Sequence, residues 1–168
     1  MKNLIKLMSV LFALSLLAPL ALAESTAGPI DGTAKAKIVA PLVLSHASGD
    51  ALNFGTLVSP AADATVTIAP MSGTPTKTDS GVERIAADSY SADHFTVTNP
   101  EGVAYTINLP ASVTISDTAS HSMTVDNFAH NCAATCNATE FYVGGRLSIA
   151  QNQAAGQYQG TYAVRLTY

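Results

Sequence analysis

Hydrophobic and polar residues alternate along the last thirteen residues of the chain, 156–168. From position 158 onward the even-numbered positions carry Tyr158, Gly160, Tyr162, Val164, Leu166 and Tyr168. The odd-numbered positions between them are mostly polar. Because successive side chains of a strand point to opposite faces, this pattern predicts a strand with one face toward a core and one toward water. We expect this strand to tie the end of the chain into a sheet.

A second alternation lies near the start of the chain, over residues 33–45. Its apolar face consists of Ala34, Ala36, Ile38, Ala40, Leu42 and Leu44. Pro41 has no N–H to donate, so a strand here lies at a sheet edge or bends at the proline. The pattern predicts a first strand that precedes the rest of the domain.

Between these two segments, short alternations are separated by Gly, Pro, Asp and Asn. They predict strands over residues 51–58, 64–69, 93–98, 103–109, 112–116, 123–128 and 140–150, with a weak strand over 82–87. Residues 24–32 are predicted to form a flexible arm and residues 70–81 a long loop. Nine or ten short strands at this spacing predict an all-β fold, an antiparallel two-sheet sandwich of the immunoglobulin-like type.

The first 23 residues have the three parts of a secretory signal peptide. Lys2 and Lys6 give a positive start, residues 7–17 are apolar apart from two serines, and the sequence up to Ala23 fits a signal peptidase. We predict cleavage after Ala23, one domain over residues 33–168, and export to the periplasm, the cell surface or the medium. The apolar run is short for a membrane span, so we expect no integral membrane segment in the mature chain.

Cleavage would also make the chain more acidic, because it removes Lys2 and Lys6 and no acidic residue. The formal charge goes from −4 to −6. The remaining Lys and Arg residues are scattered, whereas nucleic acids and anionic membranes attract clustered positive charge. We therefore expect no nucleic-acid partner.

The two cysteines, Cys132 and Cys136, predict a disulfide, because cysteines of exported proteins usually pair. The alternative is a zinc shell in which His121 and His130 join the two thiolates. An oxidising compartment favours the disulfide, which would fix a loop between two strands. Because the closed loop is short, its contribution to stability is expected to be at most a few kcal/mol.

No motif of a catalytic or phosphate-binding site occurs in the sequence, neither G-x-S-x-G nor H-E-x-x-H nor a glycine-rich phosphate loop. His46 and His94 lie near predicted strand ends, where an exposed imidazole is ordinary. The acid pair Asp88 and Asp93 is interpreted as solvated loop charges. We therefore expect a protein that is not an enzyme and that needs no cofactor.

Five short motifs occur in an order that resembles a secreted bacterial family, domain of unknown function 4402. They are Leu52-Asn-Phe-Gly-Thr-Leu57, Phe95-Thr-Val-Thr98, Tyr105-Thr-Ile-Asn-Leu-Pro110, Val143-Gly-Gly-Arg-Leu147 and Gln153-Ala-Ala-Gly-x-Tyr-x-Gly-x-Tyr162. The likeness extends over residues 33–168. That family brings no catalytic residues to this chain.

More distantly, the Asn-Phe-Gly-Thr strand and the closing strand resemble subunits of chaperone–usher pili, including the spore-coat-U-like pilins. This resemblance implies an incomplete sandwich whose missing strand comes from the N-terminal segment of a neighbouring subunit. It also implies a pilus-like or surface-assembly subunit, with like subunits and a periplasmic chaperone and usher as partners. The residues implied in assembly are Ala34, Ala36, Ile38, Leu42, Leu44, Tyr158, Tyr162, Val164, Leu166 and Tyr168.

Two features depart from the pilin pattern. The cysteine pair is local, whereas many pilins have a disulfide between the first strand and its neighbour, and residues 24–32 are short for a donor arm. If residues 34–44 are instead the domain's own first strand, the sandwich is complete and the protein is a solitary secreted binding module. In that alternative, the loops 70–81 and 130–137 contact a ligand such as a glycan.

Overall fold

The computed structural model describes residues 28–85 and 89–168, and in these residues the regular secondary structure is all β. The strands are β1 (Val43–His46), β2 (Ala64–Ile68), β3 (Lys77–Ser80), β4 (Asp93–Thr98), β5 (Thr106–Asn108), β6 (Ser112–Ser116), β7 (Ser122–His130), β8 (Glu140–Ile149) and β9 (Arg165–Thr167). They pair antiparallel and form a seven-stranded and a two-stranded sheet. The predicted class, an antiparallel β-sandwich, is therefore confirmed. The predicted signal peptide lies outside the described residues.

Strand β8 is the centre of the larger sheet. Along one edge it pairs with β4 through its first half and with β2 through its second half, and along the other edge it pairs with β7. The sheet continues from β4 to β1, from β2 to β3 and from β7 to β6. The inward side chains of β8, among them Phe141, Val143 and Leu147, are buried, as the alternation of the sequence predicts.

The inward side chains form two hydrophobic clusters. The first cluster contains Phe54, Ala64, Val66, Ile68, Ala92, Val125, Leu147 and Ile149. The second contains Phe95, Val97, Tyr105, Ile107, Cys136, Phe141 and Val143. Removing one large apolar side chain of this kind from water contributes about 1.5–3 kcal/mol, so these clusters supply most of the driving force for folding.

The smaller sheet pairs β5 with β9. Gln159 also forms a bridge with Ser116 at the end of β6, so residues 159–167 run antiparallel beside β5 and β6. Between these two pairings, residues 160–164 belong to no strand. Pro110, which lies between β5 and β6, cannot donate a hydrogen bond there. We call residues 157–168 the closing segment.

Several predicted elements differ from the structure. The predicted strand over residues 156–168 is a regular strand only in β9, and the described part of the weak strand over residues 82–87 has only a bridge at Arg84. The predicted strand over residues 33–45 is a strand only in β1. An alternating sequence can form a strand only where the edge of another strand is available to pair with it. The predicted loop over residues 70–81 contains β3, a polar edge strand without alternation. The predicted strand over residues 51–58 is reduced to isolated bridges at Asn53 and Leu57.

A bilayer sets a minimum length and hydropathy for a helix that crosses it, and the regular secondary structure of the described residues is all β. No helix there is long and apolar enough to cross a bilayer. The chain also divides into two compact units at residue 37, and residues 38–168 form the larger one. All the strands belong to that larger unit.

Candidate functional site

A groove of about 860 Å³ opens into the interior of the sandwich. Its apolar lining consists of Val113 and Ile115 of β6, Met123, Val125 and Phe128 of β7, and Leu147 of β8. Residues 49–54 and residues 157–162 of the closing segment also line it, together with His46, Ser91, Asp93 and Phe95. Protein interiors are normally close-packed, so a space of this size beside core side chains is unusual. As a result Val113, Ile115, Met123 and Phe128 are only half-buried.

The closing segment has one unpaired edge beside this groove. Tyr158, Tyr162, Val164 and Leu166 are half-buried while the residues between them are exposed, so the alternation predicted for this segment is present in its burial. Its backbone pairs with β5 and with Ser116 of β6 along one edge. No strand of the described chain pairs with the other edge. Such an edge offers a row of free N–H and C=O groups to another strand.

Three polar side chains from distant parts of the chain meet at the groove. His46 Nε2 lies 2.6 Å from Asp93 Oδ1, and the Tyr162 hydroxyl donates to Asp93 Oδ2 at 2.6 Å. Asp93 is 4% exposed, so its carboxylate depends on these partners. Burial raises the pKa of Tyr162 well above its usual range, and the bond to Asp93 adds to the shift. The Tyr162 hydroxyl therefore stays protonated and remains a donor.

The position of Asp93 corrects one interpretation of the sequence, which treated it as a solvated loop charge. Asp93 begins β4, and the alternation that carries Phe95 and Val97 into the core also places Asp93 on the inner face. Because Asp93 lies two residues before Phe95, the alternation of the sequence already indicated that its side chain faces inward. This was the signal from which the group of Asp93, His46 and Tyr162 could have been found. His46 is paired with Asp93, although its ring remains 41% exposed. Asp88, the predicted neighbour of Asp93, lies outside the described residues.

The two ends of the alternating segment 33–45 have different environments in the structure. Leu42 and Leu44 are half-buried and pack against the second cluster, and Leu44 pairs with Val97 of β4. Residues 28–41 are exposed and form no strand, and the side chain of Ile38 is 94% exposed. The predicted inward residues Ala34 and Ala36 are thus uncovered. The end of the segment is its own domain's first strand, whereas its beginning is not.

The last predicted assembly residue, Tyr168, contacts this same region. Its hydroxyl donates to the Ala40 carbonyl at 3.0 Å, and its side chain is 59% exposed. This contact ties the end of the closing segment to the chain just before β1. Tyr168 therefore does not enter the core, unlike the other predicted residues of the closing segment.

Cys132 and Cys136 lie at disulfide-bonding distance, with their Cα atoms 5.6 Å apart. Cys136 also pairs through its backbone with Tyr105, which is buried next to β5, so this loop is fastened to the smaller sheet. His121 precedes β7 and His130 ends it, which separates them by roughly 30 Å at about 3.3 Å per residue. The alternative zinc shell is incompatible with that separation. Within the described ranges, no group of three or more metal-binding side chains occurs.

Comparison with protein families gives one match. Residues 44–168 match the model described as "Domain of unknown function (DUF4402)". The match begins within β1 and covers well over half of the chain. The chain therefore belongs to this family. No curated protein and no solved structure matches the chain.

Proposed function

We propose that this member of the DUF4402 family is a non-enzymatic structural subunit that assembles by strand exchange. In this proposal residues 33–39, which we call the donor segment, bind in the groove of a second copy of the chain. The observation that carries the proposal is the unpaired edge of the closing segment beside a groove lined with core side chains. Addition of a strand to an open sheet edge is a common way for proteins to recognise extended segments.

The donor segment suits the groove in its pattern. Ala34, Ala36 and Ile38 share one face of an extended chain, and on binding they would cover half-buried side chains such as Val113 and Ile115. Burial of an isoleucine side chain contributes about 1.5–3 kcal/mol. The small alanine side chains let the two backbones approach, and the new backbone hydrogen bonds would satisfy the free edge.

Charge also favours association between copies. The donor segment contains Lys35 and Lys37 and no acidic residue, whereas the predicted mature chain carries a formal charge of −6. A basic segment is attracted to an acidic partner, and salt weakens this attraction because it screens exposed charges. Assembly by this route is therefore expected to slow as ionic strength rises.

The proposed partners follow from the same edge. Before assembly a periplasmic chaperone would cover the groove, because an exposed apolar groove and a free strand edge favour aggregation. Export rests on the predicted signal peptide. At the surface or in a pilus-like fibre, the partner would be the next copy of the same chain.

Two matched substitutions in the predicted mature protein test the proposal. Ile38 in the donor segment and Ile30 outside it are 94% and 92% exposed, so neither supports the core of its own domain. Ile38→Asp should weaken assembly at least about tenfold, or about 1.4 kcal/mol, because it brings an unpaired charge into an apolar groove. Ile30→Asp should assemble like the wild type. Size-exclusion chromatography with light scattering gives the readout.

Two results would overturn the proposal. The first is a wild-type protein that stays monomeric at every concentration, which would favour a solitary binding module. The second is an equal effect of Ile38→Asp and Ile30→Asp on assembly, since only one of them lies in the donor segment.

A further inference from the structure

We propose that Asp93, together with His46 and Tyr162, holds the closing segment extended before a donor segment arrives. The three residues form a polar pin between the larger sheet and the unpaired edge. The effect of this pin on assembly rests on the proposed function. The pin itself is a property of one copy and can be measured without assembly.

Residues 160–164 lack the backbone pairing that would otherwise hold them in place. They lie between the β9 pairing and the Gln159 bridge, and they belong to no strand. Fixing a backbone costs conformational entropy, which a strand normally offsets through its ladder of hydrogen bonds. Since that ladder is interrupted here, side chains must hold the segment in place.

Tyr162 lies at the middle of this stretch and is its main attachment to the larger sheet. Its ring stacks on Phe128 with the centroids 4.9 Å apart, and it meets the edge of Phe95 at 6.5 Å. Its hydroxyl donates to Asp93 at 2.6 Å. These contacts anchor the segment from the inside and leave its outer edge open.

Asp93 is a firm anchor for this bond. It begins β4 and pairs with Val143 of the central strand β8, and from Phe95 onward β4 also pairs with β1. His46 approaches the other carboxylate oxygen from β1, where it pairs with Phe95 and its ring lies tilted against the Phe95 ring with the centroids 4.7 Å apart. Hydrogen bonds to a buried carboxylate are among the stronger ones in proteins.

The pin would favour assembly because it holds the edge of the closing segment extended before the donor segment binds. Backbone groups of a strand alternate between its two edges. Gln159 faces β6, so the groups of residues 160, 162 and 164 face the open edge. A donor segment then meets an edge that is already extended, and binding does not have to order it. Tyr162 is thus a positioning residue for strand exchange.

The experiment uses the full predicted mature chain with Ile38→Asp, which disables its own donor segment. A labelled peptide of residues 33–39 is the probe. Tyr162→Phe removes the bond to Asp93, and Tyr142→Phe is the matched control, because Tyr142 lies in β8 outside the groove, where its ring stacks on His94 with the centroids 4.7 Å apart. Amide hydrogen exchange reports on residues 160–164, fluorescence anisotropy gives the peptide Kd, and urea unfolding gives global stability.

With Tyr162→Phe, exchange in residues 160–164 should speed up while exchange in β8 stays slow. The peptide Kd should weaken about tenfold, or about 1.4 kcal/mol. Tyr142→Phe should change neither quantity. If Tyr162→Phe does not fold, His46→Ala replaces it, since it removes the other partner of Asp93 from a partly exposed site, and it should speed exchange in the same residues.

Each remaining outcome decides one part of the inference. Unchanged exchange in residues 160–164 overturns the pin. Faster exchange with an unchanged Kd overturns its role in preorganisation. If the peptide binds no variant at all, the proposed function is wrong and the preorganisation falls with it, while the exchange data still show whether the pin exists.

Discussion

Strand β8 and the closing segment have the same alternating sequence pattern, but only β8 is completed within the chain. β8 pairs along both edges, and its inward residues from Phe141 to Ile149 are buried. The closing segment pairs along one edge, with an interruption, and its inward residues are only half-buried. The difference shows that alternation determines which face of a strand is inward. It does not determine how many neighbours that strand has.

Matched truncations should separate the two regions most clearly. Phe141 is 0% exposed and stacks on Phe95 with centroids 5.3 Å apart, so Phe141→Ala should cost about 3–5 kcal/mol in the free energy of unfolding. Leu166→Ala in β9 should cost less than about 2 kcal/mol, because its side chain already contacts solvent. Urea unfolding of the monomer measures both. Equal losses would contradict the contrast between the two regions.

Two glycines allow the same comparison by adding a methyl group. A Cβ at Gly144 in β8 would lie 2.2 Å from the Ile68 carbonyl oxygen, and one at Gly160 would lie 2.8 Å from Ile115 Cγ2. Gly144→Ala should cost about 1–3 kcal/mol, because the backbone on both sides is fixed by pairing. Gly160→Ala should cost less, because its closest contact is longer and is to a side-chain methyl group, not to a backbone oxygen. Thermal unfolding of the two variants tests the order, and a larger loss for Gly160→Ala would reverse it.

Much of the fold follows from the sequence because burial imposes a period of two. The alternation predicts the bounds of β4 and β6, and those of β8 to within one residue. It does not reveal β3, whose four residues are all polar or charged and lie at a sheet edge. It also could not show that residues 33–41 form no strand, because a missing partner is a property of the neighbouring surface.

The candidate site was predicted only in part. Tyr158 and Tyr162 of the closing segment line the groove, whereas Val164 and Leu166 pack against the second cluster. The Asp93 cluster was missed because its partners His46 and Tyr162 are 47 and 69 positions away along the chain. Spacing alone does not connect residues that meet only after the sheets have packed.

The loop between Cys132 and Cys136 offers a third comparison, between the smaller sheet, to which this loop is attached, and the larger sheet. Replacing both Cys132 and Cys136 by serine should cost about 2 kcal/mol or less, as expected for such a short loop. Because Cys136 pairs with Tyr105, hydrogen exchange should rise next to β5 and stay unchanged in β2. Exchange mass spectrometry under native conditions gives the answer. A loss of protection across the whole larger sheet would show that the loop has a wider role.

The smallest effect is expected from an ion pair on the outer face of β8. The Arg146 guanidinium bonds to both carboxylate oxygens of Asp126 at 2.9 Å and lowers the pKa of that carboxyl. A lowered folded-state pKa stabilises the fold above the unfolded value of about 3.9, and this stabilisation is lost as the pH falls through the folded pKa. Arg146→Gln should therefore lower the urea midpoint slightly at pH 6, and this effect should shrink as the pH falls below the unfolded value of about 3.9.

The matched control for this pair is Arg165 in β9. Among the described residues it has no ion pair, so Arg165→Gln should leave the urea midpoint unchanged across the same pH range. A pH-independent loss with Arg146→Gln would indicate that its alkyl stem, and not its charge, stabilises the sheet.

Photo-cross-linking from the donor segment tests strand exchange most directly. A diazirine analogue of leucine is placed at position 38, or at position 30 as the control, and isotopically heavy and light copies are mixed before illumination. Mass spectrometry should find position 38 of one copy joined to the groove of another, at residues 113–125 or 157–162, in mixed heavy–light pairs. Position 30 should give no such pairs. Cross-links from position 38 that stay within one copy, or that fall on the outer face of the larger sheet, would contradict strand exchange.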